Sequence, residues 1–263
     1  MPSLHRVTAF ILIACAALLN ACSPKVQIDI GAGPERLAEG RVLRDEHAGK
    51  DKVAMIEVRG MLFDGNRPEL LGTGVNPVDR FIAQLDMAER DPNTRAIIIR
   101  ITSPGGTVTS SDIMHSELRR FSSKTGKPVI ASMGEVAASG GYYLAIGCDH
   151  IIAHPTTITG SIGVIIPTLN FSDGLARLGI HARSIKSGAN KDMANPLEPM
   201  REHQYEVLQG MVDEFYGNFK ALVIKRRPAL KVENLANATD GRVFTGSQAL
   251  ALGLVDELGG VRE

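Results

Sequence analysis

From Val53 to Tyr143 the chain repeats one arrangement three times: an apolar run, a junction rich in small or turn-forming residues, then apolar residues at helical spacing. Val53-Ala54-Met55-Ile56-Glu57-Val58 reads as a first strand, followed by a Gly/Pro/Asn-containing loop from Asp64 to Asn76. Asn76-Pro77 supplies a helix N-cap and an N1 proline, with Val78, Phe81, Ile82 and Leu85 behind them. Asp91-Pro92-Asn93 stops that helix, and the β-branched run Ala96-Ile97-Ile98-Ile99 predicts a strand covered on both faces. Thr102-Ser103-Pro104-Gly105-Gly106-Thr107 leads to a helix bearing Met114, Leu118 and Phe121. Pro128 to Met133 predicts a third strand, and Val136-Ala137-Ala138-Ser139-Gly140-Gly141-Tyr142-Tyr143 opens the next helix. Strand and helix alternating in this order dictate parallel βαβ units with helices outside, an α/β class.

Beyond this core, His181 to Ser187 predicts a strand and Pro199 to Arg226 a long amphipathic helix. Its stripe is Tyr205, Leu208, Met211, Val212, Phe215 and Phe219. The C-terminal segment predicts a strand-like piece at Phe244, a short helix capped by Thr245, and a last strand near Gly253 to Asp256. The alternating arrangement carries no repeated sequence, and residues 53–263 read as one α/β domain.

The first residues carry a different signal. Val7 to Leu19 is nearly all apolar behind His5 and Arg6, the length of a signal-peptide core rather than of the roughly 20-residue span a membrane helix needs. Leu19-Asn20-Ala21-Cys22 resembles a bacterial lipobox, which implies lipidation of Cys22 and a signal peptide over residues 1–22. Residues 23–52, rich in glycine and charge without a period, read as a tether. The chain is then an exported bacterial lipoprotein held to a membrane, with its body in the periplasm or another extracytoplasmic space. With 29 basic and 29 acidic side chains the net charge is zero, so nothing points to nucleic acid. Three cysteines, two of them before residue 23, make no disulfide framework.

Standard local signatures are missing. No Gly-x-Ser-x-Gly elbow surrounds Ser139, no phosphate loop occurs, and no His or Cys spacing offers a zinc site, so neither cofactor nor metal is expected. His150 and His154 flank a strand and diverge. What remains is glycine at two strand-to-helix junctions, Ser103 to Gly106 and Ser139 to Gly141. Paired glycines let backbone N–H groups approach a ligand, and parallel neighbouring strands bring both junctions to one sheet edge. A serine there suggests acyl transfer, and a serine nucleophile needs a base. No histidine has a clear loop position beside an aspartate that would orient it. The small-residue loop after Ile185 offers two lysines, Lys186 and Lys191.

Four motifs in order then resemble a known family. Ser103-Pro104-Gly105-Gly106, Val136 to Tyr143, Thr159-Gly160-Ser161-Ile162-Gly163-Val164, and Lys186-Ser187-Gly188 with Lys191-Asp192 are similar to the signal peptide peptidase A (SppA) family. Gly241-Arg242-Val243-Phe244-Thr245-Gly246 extends the resemblance toward the C-terminus. It implies a ClpP/crotonase-like fold and a Ser–Lys serine endopeptidase without cofactor. Ser139 would be the nucleophile, Lys191 the base with Lys186 as rival, and Ser161 the residue orienting the lysine. Gly106 would be the oxyanion donor; the Gly140 amide is a physically reasonable second. It also implies signal peptides as substrates, membrane association and a ring of identical subunits. Tyr142 and Tyr143 would pack the helix rather than touch substrate.

Three rival readings belong beside this one: a related peptidase acting on a stomatin-like partner, a crotonase-type coenzyme A enzyme, and a catalytically silent lipid-tethered scaffold. Export argues against coenzyme A, and the intact Ser139, Ser161 and Lys191 argue against a silent scaffold.

Overall fold

The computed structural model of the chain describes residues 37–40, 50–66 and 74–261. The signal segment with Cys22, and most of the tether, lie outside these residues. Nearly all of the described residues cluster as one compact unit.

Among the described residues seven strands form one sheet: β1 (Lys52–Arg59), β2 (Thr94–Ser103), β3 (Val129–Ala138), β4 (His150–Ala153), β5 (Ile158–Gly160), β6 (Val243–Thr245) and β7 (Glu257–Leu258). The main path runs β1-β2-β3-β4-β7, all parallel, while β5 pairs parallel with β3 and antiparallel with β6. Between them lie α1 (Pro77–Arg90), α2 (Val108–Thr125), α3 (Gly140–Ala145), α4 (Ser172–Arg177), α5 (Glu202–Arg226), α6 (Val232–Ala238) and α7 (Gly246–Leu252). This is the parallel α/β architecture that the alternating runs dictate.

Local chemistry explains the boundaries. Asn76 accepts the Val78 N–H at the start of α1, with Pro77 fixing the first turn. Thr107 caps α2, and Gly126 ends it in the left-handed conformation that glycine enters freely. Thr245 and Gln248 form a reciprocal capping box on α7. Met114, Leu118 and Phe121 lie at successive turns of α2 and are all fully buried against Ile97, Ile99 and Ile101 in the core cluster. Each contributes about 1.5–3 kcal/mol of burial.

Five expectations change. β2 is buried on one face only: Ile97, Ile99 and Ile101 alternate with half-exposed Ile98 and Arg100. Arg100 pairs across the register with Glu57, so that face carries charge rather than a second apolar layer. β3 continues to Ala138 instead of ending near Met133, because its second half leaves β4 and gains β5 as a partner. The last strand falls at Glu257–Leu258, just after Gly253 to Asp256. Residues 181–187 form no strand: among the described residues no neighbour pairs with them, and Ile185 is fully exposed. α5 forms from Glu202, but of its apolar stripe only Phe219 is buried, while Tyr205 and Met211 stand in solvent.

One buried group sets an acid limit. His115 on α2 is 8% exposed and stacks edge-on against Tyr143, and its Nε2 has no hydrogen-bond partner among the described residues. Burial pushes its pKa down to about 4 from 6.5, opposed by Asp112 and reinforced by Arg226, Arg119 and Lys225. Between those values the unfolded chain takes up a proton that the folded chain does not, so stability falls as pH falls through this window. The loss is about 2 kcal/mol by pH 5 and about 3 kcal/mol below pH 4. Melting temperatures of wild type and His115→Phe measured from pH 7.5 to 5 check this: the wild-type curve should drop more steeply.

Candidate active site

Ser139 sits where β3 ends and α3 begins, with φ 52° and ψ −119°. A non-glycine residue in this region costs about 1–3 kcal/mol and persists only where the surroundings impose it. Here the Ser139 N–H donates to Gly160 O at 2.9 Å and its carbonyl accepts from the Tyr143 N–H at 2.8 Å. β3 holds one side of the corner and α3 the other. The Gly-x-Ser-x-Gly signature is missing, yet the backbone turns sharply at the serine. Ala137 and Gly141 serve in the flanks: a Cβ on Gly141 would lie 2.7 Å from Ser103 O.

Ser161 occupies the matching place on the neighbouring strand. Ala138 pairs with Gly160, so the two serines follow paired residues at the ends of parallel strands, roughly 5 Å apart by strand spacing. Ser161 is also held at positive φ, 51°, and its N–H donates to Arg242 O at 2.8 Å. The Thr159 hydroxyl donates to Ala137 O at 2.7 Å, tying the two strands just before both corners. Gly241 to Gly246, noted as a motif, supplies β6 and braces Ser161 through this contact.

The Pro104-Gly105-Gly106 junction closes over the same corner. A Cβ on Gly105 would stand 2.7 Å from Gly140 N and 2.9 Å from Ser139 Cβ; one on Gly140 would stand 3.2 Å from Gly106 N. Only glycine permits that approach. Gly105 O accepts the Leu62 N–H at 2.9 Å, and Leu62 O accepts the Thr107 N–H at 2.8 Å. Peptides here are trans, so anchoring Gly105 O on Leu62 turns the Gly106 N–H the opposite way. Among the described residues neither the Gly106 nor the Gly140 N–H has a protein acceptor. Two unpaired donors beside a serine hydroxyl are the arrangement an oxyanion requires. Leu62 went unnoticed in the sequence because its partner is 44 positions away and an isolated bridge leaves no periodic signal.

Ser139, Ser161, Gly106 and Gly140 thus converge. The lysines do not join them. Lys191 lies on an exposed loop, and among the described residues no hydrogen bond or ion pair links it to either serine. Asp192 anchors that loop: it pairs with Lys186 and accepts from Arg201 at 3.2 Å and Gln204 at 3.1 Å, at the start of α5. The Lys186 bond, Gln204 and the backbone hold the Asp192 carboxyl below the usual range. Lys186 is therefore committed to Asp192, while among the described residues the Lys191 amine has no hydrogen-bond or ion-pair partner. From Gln204 to Phe219, where α5 meets Tyr143, the helix spans about 22 Å at 1.5 Å per residue, so the lysine loop stands off along that helix.

Tyr142 is fully buried with its hydroxyl on Leu254 O at 2.8 Å, and Tyr143 donates to Asp112, so both pack α3 into the fold. No helix among the described residues is long and apolar enough to cross a membrane.

Comparison with known proteins agrees with this architecture. A Synechocystis protein named as a protease is 40% identical over 210 residues, 80% of this chain and 70% of that protein. An Enterococcus faecium protein named as a signal peptide peptidase SppA is 34% identical, covering 82% of this chain and 62% of the relative. A chloroplastic serine protease SPPA of Arabidopsis thaliana is 32% identical over 81% of this chain but 31% of its own length. Peptidase family S49 matches residues 122–263, which hold Ser139, Ser161 and both lysines. With its ClpP-like α/β sheet, its paired serine corners and these relatives, the chain belongs to peptidase family S49, the family of the SppA proteins.

Proposed function

We propose that the chain is a serine endopeptidase that cleaves remnant signal peptides at a membrane surface, using Ser139 as nucleophile and Lys191 as general base. The observation that carries this reading is the Ser139 corner itself: a strained serine beside two N–H donors without acceptors, Gly106 and Gly140. Ser139 Oγ attacks the scissile carbonyl carbon while its proton passes to Lys191 Nζ. The carbonyl oxygen becomes an oxyanion held by the Gly106 and Gly140 N–H groups. The tetrahedral intermediate collapses to an acyl-enzyme as the lysine returns the proton to the leaving amine. Water, deprotonated by the same lysine, releases the acid. The Ser161 hydroxyl accepts a hydrogen bond from the lysine amine and orients it.

A lysine acts as a base only where desolvation strips its proton. Lys191 is exposed in the single chain, so the working state must cover it. The same stretch exposes Ile165, Leu169, Leu178 and Ile185, and with α5 it borders a cleft of about 670 Å³. We assign this apolar arm to a second copy of the chain in a homo-oligomeric ring, which covers the arm and brings Lys191 to the Ser139 corner of its neighbour. Lipidation at Cys22 would hold the ring to the membrane where signal peptides accumulate.

The test is labelling of the full-length protein with a fluorophosphonate serine probe, alongside cleavage of a synthetic signal peptide. Wild type should label and cleave; Ser139→Ala should do neither while keeping its melting temperature within a few degrees. Equal labelling or cleavage by Ser139→Ala would exclude the assignment.

A further inference from the structure

Behind the two glycine donors lies a side chain with no assigned role. Ser103, the last residue of β2, is completely buried. Its hydroxyl donates to Gly60 O at 2.6 Å and accepts the Gly105 N–H at 3.1 Å. Gly60 continues from β1, and its own N–H donates to Thr102 O at 2.9 Å. The Ser103 carbonyl faces Gly141, close enough that a Cβ there would stand 2.7 Å away. One residue therefore touches the end of β1, the glycine loop and the first turn of α3.

This geometry matters because Gly105 is held at φ 108°, a conformation from which the next peptide can rotate at little cost. The peptide between Gly105 and Gly106 carries the donor. Its carbonyl is fixed from one side by Leu62 N–H, and the N–H that enters Gly105 is fixed from the other by Ser103 Oγ. With both bonds in place the Gly106 N–H faces the Ser139 corner. Without the Ser103 bond, a peptide flanked by two glycines retains a single anchor, and rotated states with the N–H turned away become accessible.

We propose that Ser103 is a positioning residue for the oxyanion hole: its buried hydroxyl, bridging Gly60 O and Gly105 N–H, holds the Gly106 N–H toward Ser139. It touches no substrate atom and acts through the loop. The proposal rests on the assignment of Ser139 and Gly106 above. It goes beyond that assignment by giving the loop a device that decides whether the donor is presented.

The experiment compares wild type, Ser103→Ala and Ser103→Thr as full-length protein on a fluorogenic peptide and on a peptide boronic acid. The boronate becomes tetrahedral on Ser139 and fills the oxyanion site, whereas KM for the peptide reports ground-state binding. Active sites are counted by fluorophosphonate labelling, so that rates refer to folded, competent molecules. Ser103→Ala should lower kcat about ten-fold and weaken boronate inhibition by the same factor, less than the hundred-fold or more expected for losing a donor outright. KM should stay within about two-fold, because uniform binding is untouched. Ser103→Thr, which keeps the hydroxyl, should restore most of both. A Ser103→Ala enzyme with wild-type kcat and boronate affinity per labelled site would overturn the proposal, as would loss explained wholly by fewer labelled sites. If Ser103→Ala does not fold, a folded Ser103→Thr with wild-type kcat and boronate affinity supports the proposal. A ten-fold loss in both despite its hydroxyl overturns it. A Ser139→Ala protein that remains active would instead remove the underlying assignment, so the two failures are distinct.

Discussion

Lys191→Ala is expected to cleave peptide at least about 10⁴-fold more slowly than wild type, with little change in melting temperature. The two halves of this expectation have separate causes. The rate falls because a serine hydroxyl at neutral pH is a weak nucleophile without a base, and among the described residues no histidine is hydrogen-bonded to Ser139 to substitute. The fold of each chain holds because within the single chain Lys191 is exposed and, among the described residues, its amine has no hydrogen-bond or ion-pair partner, so truncation leaves no buried group unsatisfied there. Lys186→Ala should behave in the opposite sense. It removes an ion pair to Asp192 and loosens the loop, yet leaves the base in place, so its rate loss should be far smaller. Rates and melting curves on the two variants side by side check both statements.

Gly106→Ala should be nearly as damaging, by sterics alone. A Cβ at this position would stand 1.8 Å from Leu62 O and within 2.6 Å of two further Leu62 backbone atoms. Backbone cannot move aside as a flexible side chain can, so either the glycine loop or the Leu62 bridge must shift. A shift near 1 Å costs about 100-fold in rate, and loss of an oxyanion donor about 100- to 1000-fold. Overpacking adds about 1–3 kcal/mol of destabilisation. Gly140→Ala meets the Ser111 side chain at 2.2 Å instead, with Gly106 N at 3.2 Å, so part of its clash falls on an atom that can rotate. Its stability loss should be the smaller of the two. Activity per labelled active site, read with thermal midpoints, separates the geometric effect from the stability effect.

Local chemistry was legible in the residues and long-range pairing was not. Asn76-Pro77 and Thr245 mark helix starts because a cap is decided within three or four residues, and the spacing of Met114, Leu118 and Phe121 reports one buried helix face. The same reasoning misplaced His181 to Ser187. Alternating residues can line a strand, but a strand needs a neighbour, and none exists among the described residues. It also left the stripe from Tyr205 to Phe215 without cover, since periodicity says that a face is apolar and not what lies against it. At the site, the glycine junctions and serines could be picked out because close approach and a nucleophile each demand a residue type. The Leu62 bridge could not, because it is made from main-chain atoms that any residue provides. Lys191 could be matched only through resemblance; a lone lysine in a loop carries no local mark of the partner it will meet.

The most direct measurement mixes two inactive chains. Ser139→Ala retains Lys191, and Lys191→Ala retains Ser139, so their co-assembly builds some sites with the serine from one copy and the lysine from the next. Random mixing across a head-to-tail interface makes about one quarter of sites complete. Each variant alone should be inactive, and the mixture should recover up to about a quarter of wild-type cleavage. Full-rate cleavage by Lys191→Ala alone would contradict the Ser139–Lys191 pairing. A mixture that stays inactive, when wild type carried through the same mixing remains active, would contradict its formation between neighbouring copies.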